Sequence, residues 1–343
     1  MKRSLLVSIL AASIALAGAA SAQNQEMPGE GVEVQPAVAT WQSALPVEAI
    51  FRLLLEELGY DVNEAQSVSN PIFYQAVAQG DVDYWANGWF PGHYAQLPPN
   101  FDENASIVGT IVEAGALQGY LVDIESIEKY DITSLEDFKR PEVKEAFDAN
   151  GDGKADLGAC PPGWGCEVII SHHMDAYDLH DHVNAITAGY PAMFADVVAR
   201  YEAGEPVLYY TWTPNFTTHE LVPGEDVLWI NVPEINPTPA QEGLEEFMTL
   251  SGFPNAVTDP IDLGFVVSDI SAVANNEFLE ENPAAHELFR QIEIPLEDIT
   301  EMTVRIREGE DSASDITAIA EEWIAANQES VDSWLEAARS AAN

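Results

Sequence analysis

Apolar and polar residues alternate along this chain in two rhythms. Residues 32–40 switch between apolar and polar as a strand does, and residues 47–58 carry apolar side chains at helical spacing, with Gly59 as a stop. A strand followed by a helix, met repeatedly, predicts an α/β layered fold. Residues 108–122 read as strand material leading into a crossover, and residues 135–147 as helical. Two further strand-like runs, 207–212 and 227–232, each end in Pro-containing turns, and 263–275 reads as a strand returning toward the first lobe. Over 283–292, 315–327 and 331–342 the apolar spacing is again helical, and no tandem repeat interrupts the series.

The chain has 343 residues, more than one core normally serves, so two lobes are expected. Residues 23–120 with 261–343 are assigned to one lobe and 121–260 to the other. Met1-Lys2-Arg3, an apolar run over 5–17 and Ala20-Ser21-Ala22 predict a signal peptide, 1–22, cut after Ala22. That run is too short for a membrane anchor, and no cysteine near the cut could accept lipid, so a periplasmic destination is expected. The formal charge of −45 excludes nucleic acid and anionic membranes as partners. Its acids are spread through the chain, as on a solvated surface suited to salty surroundings.

Three tryptophans stand beside loop-forming residues. Trp89 lies in Asn87-Gly88-Trp89-Phe90-Pro91-Gly92-His93, Trp164 in Cys160-Pro161-Pro162-Gly163-Trp164-Gly165-Cys166, and Trp212 follows Tyr209-Tyr210-Thr211 just before Thr213-Pro214. Glycine and proline predict loops around the first two and a strand end for the third. Large aromatics ordinarily fill cores. Indole faces converging from loops instead make a box for a cation without hydrogen-bond donors, such as trimethylammonium. Three desolvated faces at about 1–2 kcal/mol each supply about 3–6 kcal/mol. Micromolar binding needs roughly 8 kcal/mol, so backbone N–H groups and a nearby histidine must hold an anionic end. Export favours a Cys160–Cys166 disulfide over free thiols or a metal pair, worth about 2 kcal/mol through its short loop and able to hold residues 161–165 in a binding geometry.

At this point a resemblance becomes specific. Asp148-Ala149-Asn150-Gly151-Asp152-Gly153-Lys154-Ala155-Asp156, Pro162-Gly163-Trp164-Gly165-Cys166-Glu167, Tyr209-Tyr210-Thr211-Trp212-Thr213-Pro214 and Glu281-Asn282-Pro283-Ala284-Ala285 resemble, in order, segments of the OpuAC-like family of periplasmic glycine betaine/proline betaine-binding proteins of ABC transporters. The likeness runs from about Gly29 into the C-terminal helices. It implies a type II periplasmic-binding fold, two α/β lobes joined by a hinge with the ligand in the cleft. It also implies a cage of Trp89, Trp164 and Trp212, carboxylate contacts from His93 and from the backbone of Gly165 and Cys166, and the Cys160–Cys166 disulfide. The implied partners are a small quaternary-ammonium zwitterion and an ABC permease of the inner membrane, with the protein a monomer needing no cofactor. Trp85 and Phe90 are larger than the family's residues there, and residues 233–259 match poorly, which leaves choline or a dimethylsulfonio osmolyte as alternative ligands.

Other clusters have their own readings. Asp148, Asn150, Asp152, Lys154 through its carbonyl, and Asp156 fall at positions 1, 3, 5, 7 and 9 of a calcium loop with Gly153 at 6, but position 12 is Ala159. A structural calcium and a merely turn-forming acidic loop both fit. His172, His173, His180 and His182 accompany Asp175, Asp178 and Asp181, which sustains a rival reading as a secreted metal-binding protein. Their spacing does not place three histidines on one helical face, and a hydrated helix surface is the expected arrangement. No Gly-x-Ser-x-Gly elbow, His-Glu-x-x-His helix or phosphate-cradling glycine loop occurs, and a disulfide would remove Cys166 as a nucleophile, so a carrier rather than an enzyme is expected.

Overall fold

A computed structural model describes residues 27–342, and the expected signal peptide lies outside them. Two five-stranded sheets organise the chain. In the first, the order is Gln66–Ser67, Pro36–Val38, Tyr84–Phe90, Ser268–Asn275, Ala105–Ala116. Pro36–Val38 pairs parallel with both neighbours, while Ser268–Asn275 runs antiparallel between its own. The second sheet, Val227–Ile230, Gln118–Asp123, Leu208–Trp212, Ala155–Gly158, Val183–Ile186, repeats that plan, with two antiparallel pairings followed by two parallel ones.

Parallel neighbours require crossovers, and helices supply them. Ala44–Glu57 and Asn70–Gln79 serve the first sheet, Gly165–Ala176 and Tyr190–Glu202 the second. Ala44–Glu57 buries Val47, Ile50, Phe51, Leu54 and Leu55, the apolar face foreseen for 47–58, each contributing roughly 1.5–3 kcal/mol. Gly59 at φ +92° then turns the chain, a conformation open to glycine. Covered on both faces, Tyr84–Phe90 and Leu208–Trp212 are buried at every position.

The 108–122 strand material is two strands, Ala105–Ala116 and Gln118–Asp123, belonging to different sheets. Leu117 alone separates them. Thr213 straddles this passage: its N–H donates to Leu117 O at 3.0 Å and its hydroxyl to Gly115 O at 2.8 Å. A second tie crosses from the helix Leu296–Arg307, where Arg307 Nε donates to Glu220 Oε1 at 2.7 Å and the guanidinium covers the Phe216 ring at 5.2 Å.

Expectation and structure part at several elements. Trp89 is in a strand rather than a loop. Gly88 marks close packing there, since a Cβ would stand 2.6 Å from the Phe90 ring and 3.3 Å from Ser271 O, and Pro91 only ends the strand. The 135–147 helix divides into a 3₁₀ turn, Leu135–Lys139, and Pro141–Ala146, because Pro141 holds Arg140 extended at ψ 129°. Trp164 precedes a helix directly, as the cap of Gly165–Ala176. The C-terminal helices are Pro283–Gln291, Ala313–Ala326 and Gln328–Ala341, and a further helix, Leu296–Arg307, stands between the first two.

Candidate ligand-binding site

Between the two sheets lies a cavity of about 350 Å³. Trp41, Asn70, Trp89 and His93 line it from the first lobe; Trp164, Gly165, Cys166 and Trp212 line it from the second. Each expected ligand residue therefore faces one space, although they come from a strand, a 3₁₀ turn, a helix start and a strand end.

The indoles stand at near right angles, as adjoining walls of a box do. Trp41 meets Trp89 at 81° with centroids 6.4 Å apart and Trp164 at 72° and 5.8 Å, while Trp164 meets Trp212 at 80° and 5.3 Å. Trp41 was not singled out from the sequence. It sits just past the Pro36–Val38 strand, at the carboxyl end of a parallel strand where open α/β sheets gather ligands, and that position was the signal available. Tyr190 stacks behind Trp164 at 6.0 Å and 27°.

Hydrogen bonds hold the walls. Asn87 Oδ1 accepts from both Trp41 Nε1 and Trp89 Nε1, at 2.9 Å each, and is itself buried. Trp164 Nε1 donates across the cleft to Thr40 Oγ1 at 2.9 Å. On the neighbouring turn, Cys160 and Cys166 form a disulfide with Cα atoms 5.9 Å apart, and Gly163 N–H donates to Glu167 Oε2 at 2.9 Å.

Besides the rings, the cavity is lined by residues that can offer N–H groups and by no lysine or arginine. Gly165 and Cys166 open a helix of 12 residues, whose first amides lack partners within it and favour negative charge. His93 is buried. Its Nδ1 accepts from Trp89 N–H at 3.1 Å and lies 2.7 Å from the Tyr74 hydroxyl, while Nε2 is 3.2 Å from Asn70 Nδ2. Burial pushes the imidazole pKa down to about 3, so the ring is neutral near neutral pH. Thr238, Ala240 and Gln241 also reach the cavity.

The remaining clusters lie elsewhere. His173 is fully buried rather than on a hydrated surface, because the helix turns it inward to bond Tyr120 Oη at 2.8 Å. His172 pairs with Asn236 at 2.9 Å and His180 with Asp175 at 2.7 Å, so the run of histidines is divided among separate partners. In the acidic loop, Asp148 accepts from the N–H groups of Gly151, Asp152 and Gly153. Asp156 accepts from Ala149 and Asn150, and Asp152 from Lys154 and Asn184. Among the described residues, no three His, Cys, Asp or Glu side chains gather as a metal-ligand set.

Known proteins resemble this chain in sequence and in fold. The chain is 38% identical over 317 residues to the glycine betaine-binding periplasmic protein OusX of Dickeya dadantii, covering 92% of this chain and 93% of that one. Lactococcal OpuAC, in its closed form with glycine betaine, superposes with a TM-score of 0.65 at 18% identity, covering 89% of this chain and 99% of that one. An ABC-transporter choline-binding protein in complex with choline gives 0.68 at 17% identity, covering 90% and 96%. These likenesses carry the type II periplasmic-binding fold, and residues 32–326 match the family described as the substrate binding domain of the ABC-type glycine betaine transport system. The chain belongs to that family of ABC-transporter substrate-binding proteins.

Proposed function

We propose that this protein is a non-catalytic periplasmic carrier that encloses glycine betaine or proline betaine and delivers it to an ABC permease. The observation that carries this reading is that Trp41, Trp89, Trp164 and Trp212 line one cavity together with the Gly165 helix start. A permanently methylated ammonium offers no N–H and is stabilised by the ring faces. Its carboxylate is neutralised by amide dipoles instead of a buried basic side chain, which suits a ligand of zero net charge. Choline and dimethylsulfonio osmolytes share the cationic half, so the anionic half sets the preference. Calorimetric titration is expected to give glycine betaine a Kd at or below about 10 µM, equivalent to roughly 7 kcal/mol. Absence of binding heat with any betaine overturns the reading.

The Asp148–Asp156 stretch belongs to this proposal as a self-supporting turn, its carboxylates already occupied by the loop's own N–H groups. Samples with calcium and with chelator are expected to melt within about 1 °C of each other, a difference below the shift that 1 kcal/mol produces. A calcium-dependent rise of several degrees would make the loop a structural calcium site.

A further inference from the structure

We propose that Gln96 touches the ligand, its side-chain NH₂ donating to the carboxylate of the bound zwitterion beside the Gly165 and Cys166 amides. The inference rests on the betaine reading above and gives the anionic half of the site a side chain that the family resemblance does not assign.

Local geometry aims the side chain. Gln96 closes the 3₁₀ turn Gly92–Gln96, three residues after His93. Residues three apart on such a turn eclipse one another, so Gln96 leaves it on the same side as His93. Both line the cavity. From there Gln96 reaches the opposite lobe: a Cβ built on Gly165 would stand 2.8 Å from its Nε2 and 3.8 Å from its Cδ, so the nitrogen end leads. A Cβ lies roughly 2.5 Å from its own backbone nitrogen, which puts Gln96 Nε2 within about 5.3 Å of Gly165 N. Two N–H···O bonds of about 2.9 Å can meet on one oxygen across such a gap, and the second carboxylate oxygen widens the reach.

The amide also has a bond to make. Gln96 Nε2 has no partner and, unlike the fully covered Oε1, keeps accessible surface. Turning the amide over would bury two unpartnered N–H groups in place of one oxygen, so the nitrogen belongs on the open side. No lysine or arginine lines the cavity, so an ionised carboxylate depends there on neutral N–H donors, and each charge-assisted bond adds to affinity. Gln96 approaches from one lobe and Gly165 and Cys166 from the other, so a carboxylate they share draws the lobes together.

Two substitutions test this. Gln96→Met nearly keeps the length of the side chain without its N–H groups, and calorimetry is expected to show glycine betaine bound about tenfold more weakly. Gln96→Glu sets a carboxylate against the ligand's own, and the expected weakening is about a hundredfold at about pH 7.5. Protonation turns that side chain back into a donor, so about tenfold of the loss is regained at about pH 5.5, since glutamic acid ionises at about pH 4.3. The wild type, whose cavity holds His93, Glu167 and Tyr210 as its titratable side chains, is titrated alongside and changes less than about twofold. A Gln96→Met variant within about twofold of wild type overturns the proposal, and so does a Gln96→Glu loss that acid leaves unchanged, which marks Gln96 as packing alone. A wild type that binds no betaine overturns the carrier reading and this inference together, whereas tight wild-type binding with both variants unaffected overturns this inference alone.

Discussion

Free proline is expected to bind at least about thirtyfold more weakly than glycine betaine, although both are small zwitterions with a carboxylate. Its secondary ammonium carries N–H donors that in water are fully hydrogen-bonded. The rings of Trp41, Trp89, Trp164 and Trp212 present carbon faces, and their nitrogens are donors, three of them already directed at Asn87 and Thr40. Proline would bury two N–H groups against surfaces that accept poorly, at about 1–3 kcal/mol each, or about 2–6 kcal/mol in all. Proline betaine, with those hydrogens replaced by methyl groups, avoids the penalty. Titrating all three compounds under one buffer condition measures the ratio, and proline binding as tightly as glycine betaine would refute an aromatic cage.

Trp164→Ala is expected to weaken glycine betaine binding about a hundredfold, the largest effect among the walls. This ring is central to the row, in contact with Trp41, Trp212 and Tyr190, and its indole nitrogen bonds Thr40 across the cleft. Losing a desolvated cation–ring contact costs about 2 kcal/mol, and losing the hydrogen bond between lobes adds about 1 kcal/mol. Because Trp164 is only partly buried, melting temperature should fall far less than affinity does. Calorimetry paired with a thermal melt separates the two effects. A variant that keeps wild-type affinity within twofold would remove Trp164 from the site.

Much of the fold was legible because burial repeats on a local period. The apolar face of Ala44–Glu57 and the all-buried Leu208–Trp212 strand announce themselves in composition and spacing. The site was partly legible for a different reason, since Trp164 and Trp212 lie in segments whose order matches a known family. What stayed hidden depends on neighbours remote in sequence. Gly88 reads as a turn signal until Ser271 and Val273 are seen packed against it. His173 reads as surface until Tyr120, from another element, is found bonded to it. Trp41 gains its role only from rings far along the chain, at positions 89 and 164.

Asn87 offers one carbonyl oxygen with two lone pairs, and both are committed to indole N–H groups. Neither ring can swivel without breaking a buried bond, so Trp41 and Trp89 share a single alignment. That half of the receptacle stands ready in advance of any solute. Capture then forfeits little side-chain freedom on this side, leaving more of the ring attraction to appear as affinity.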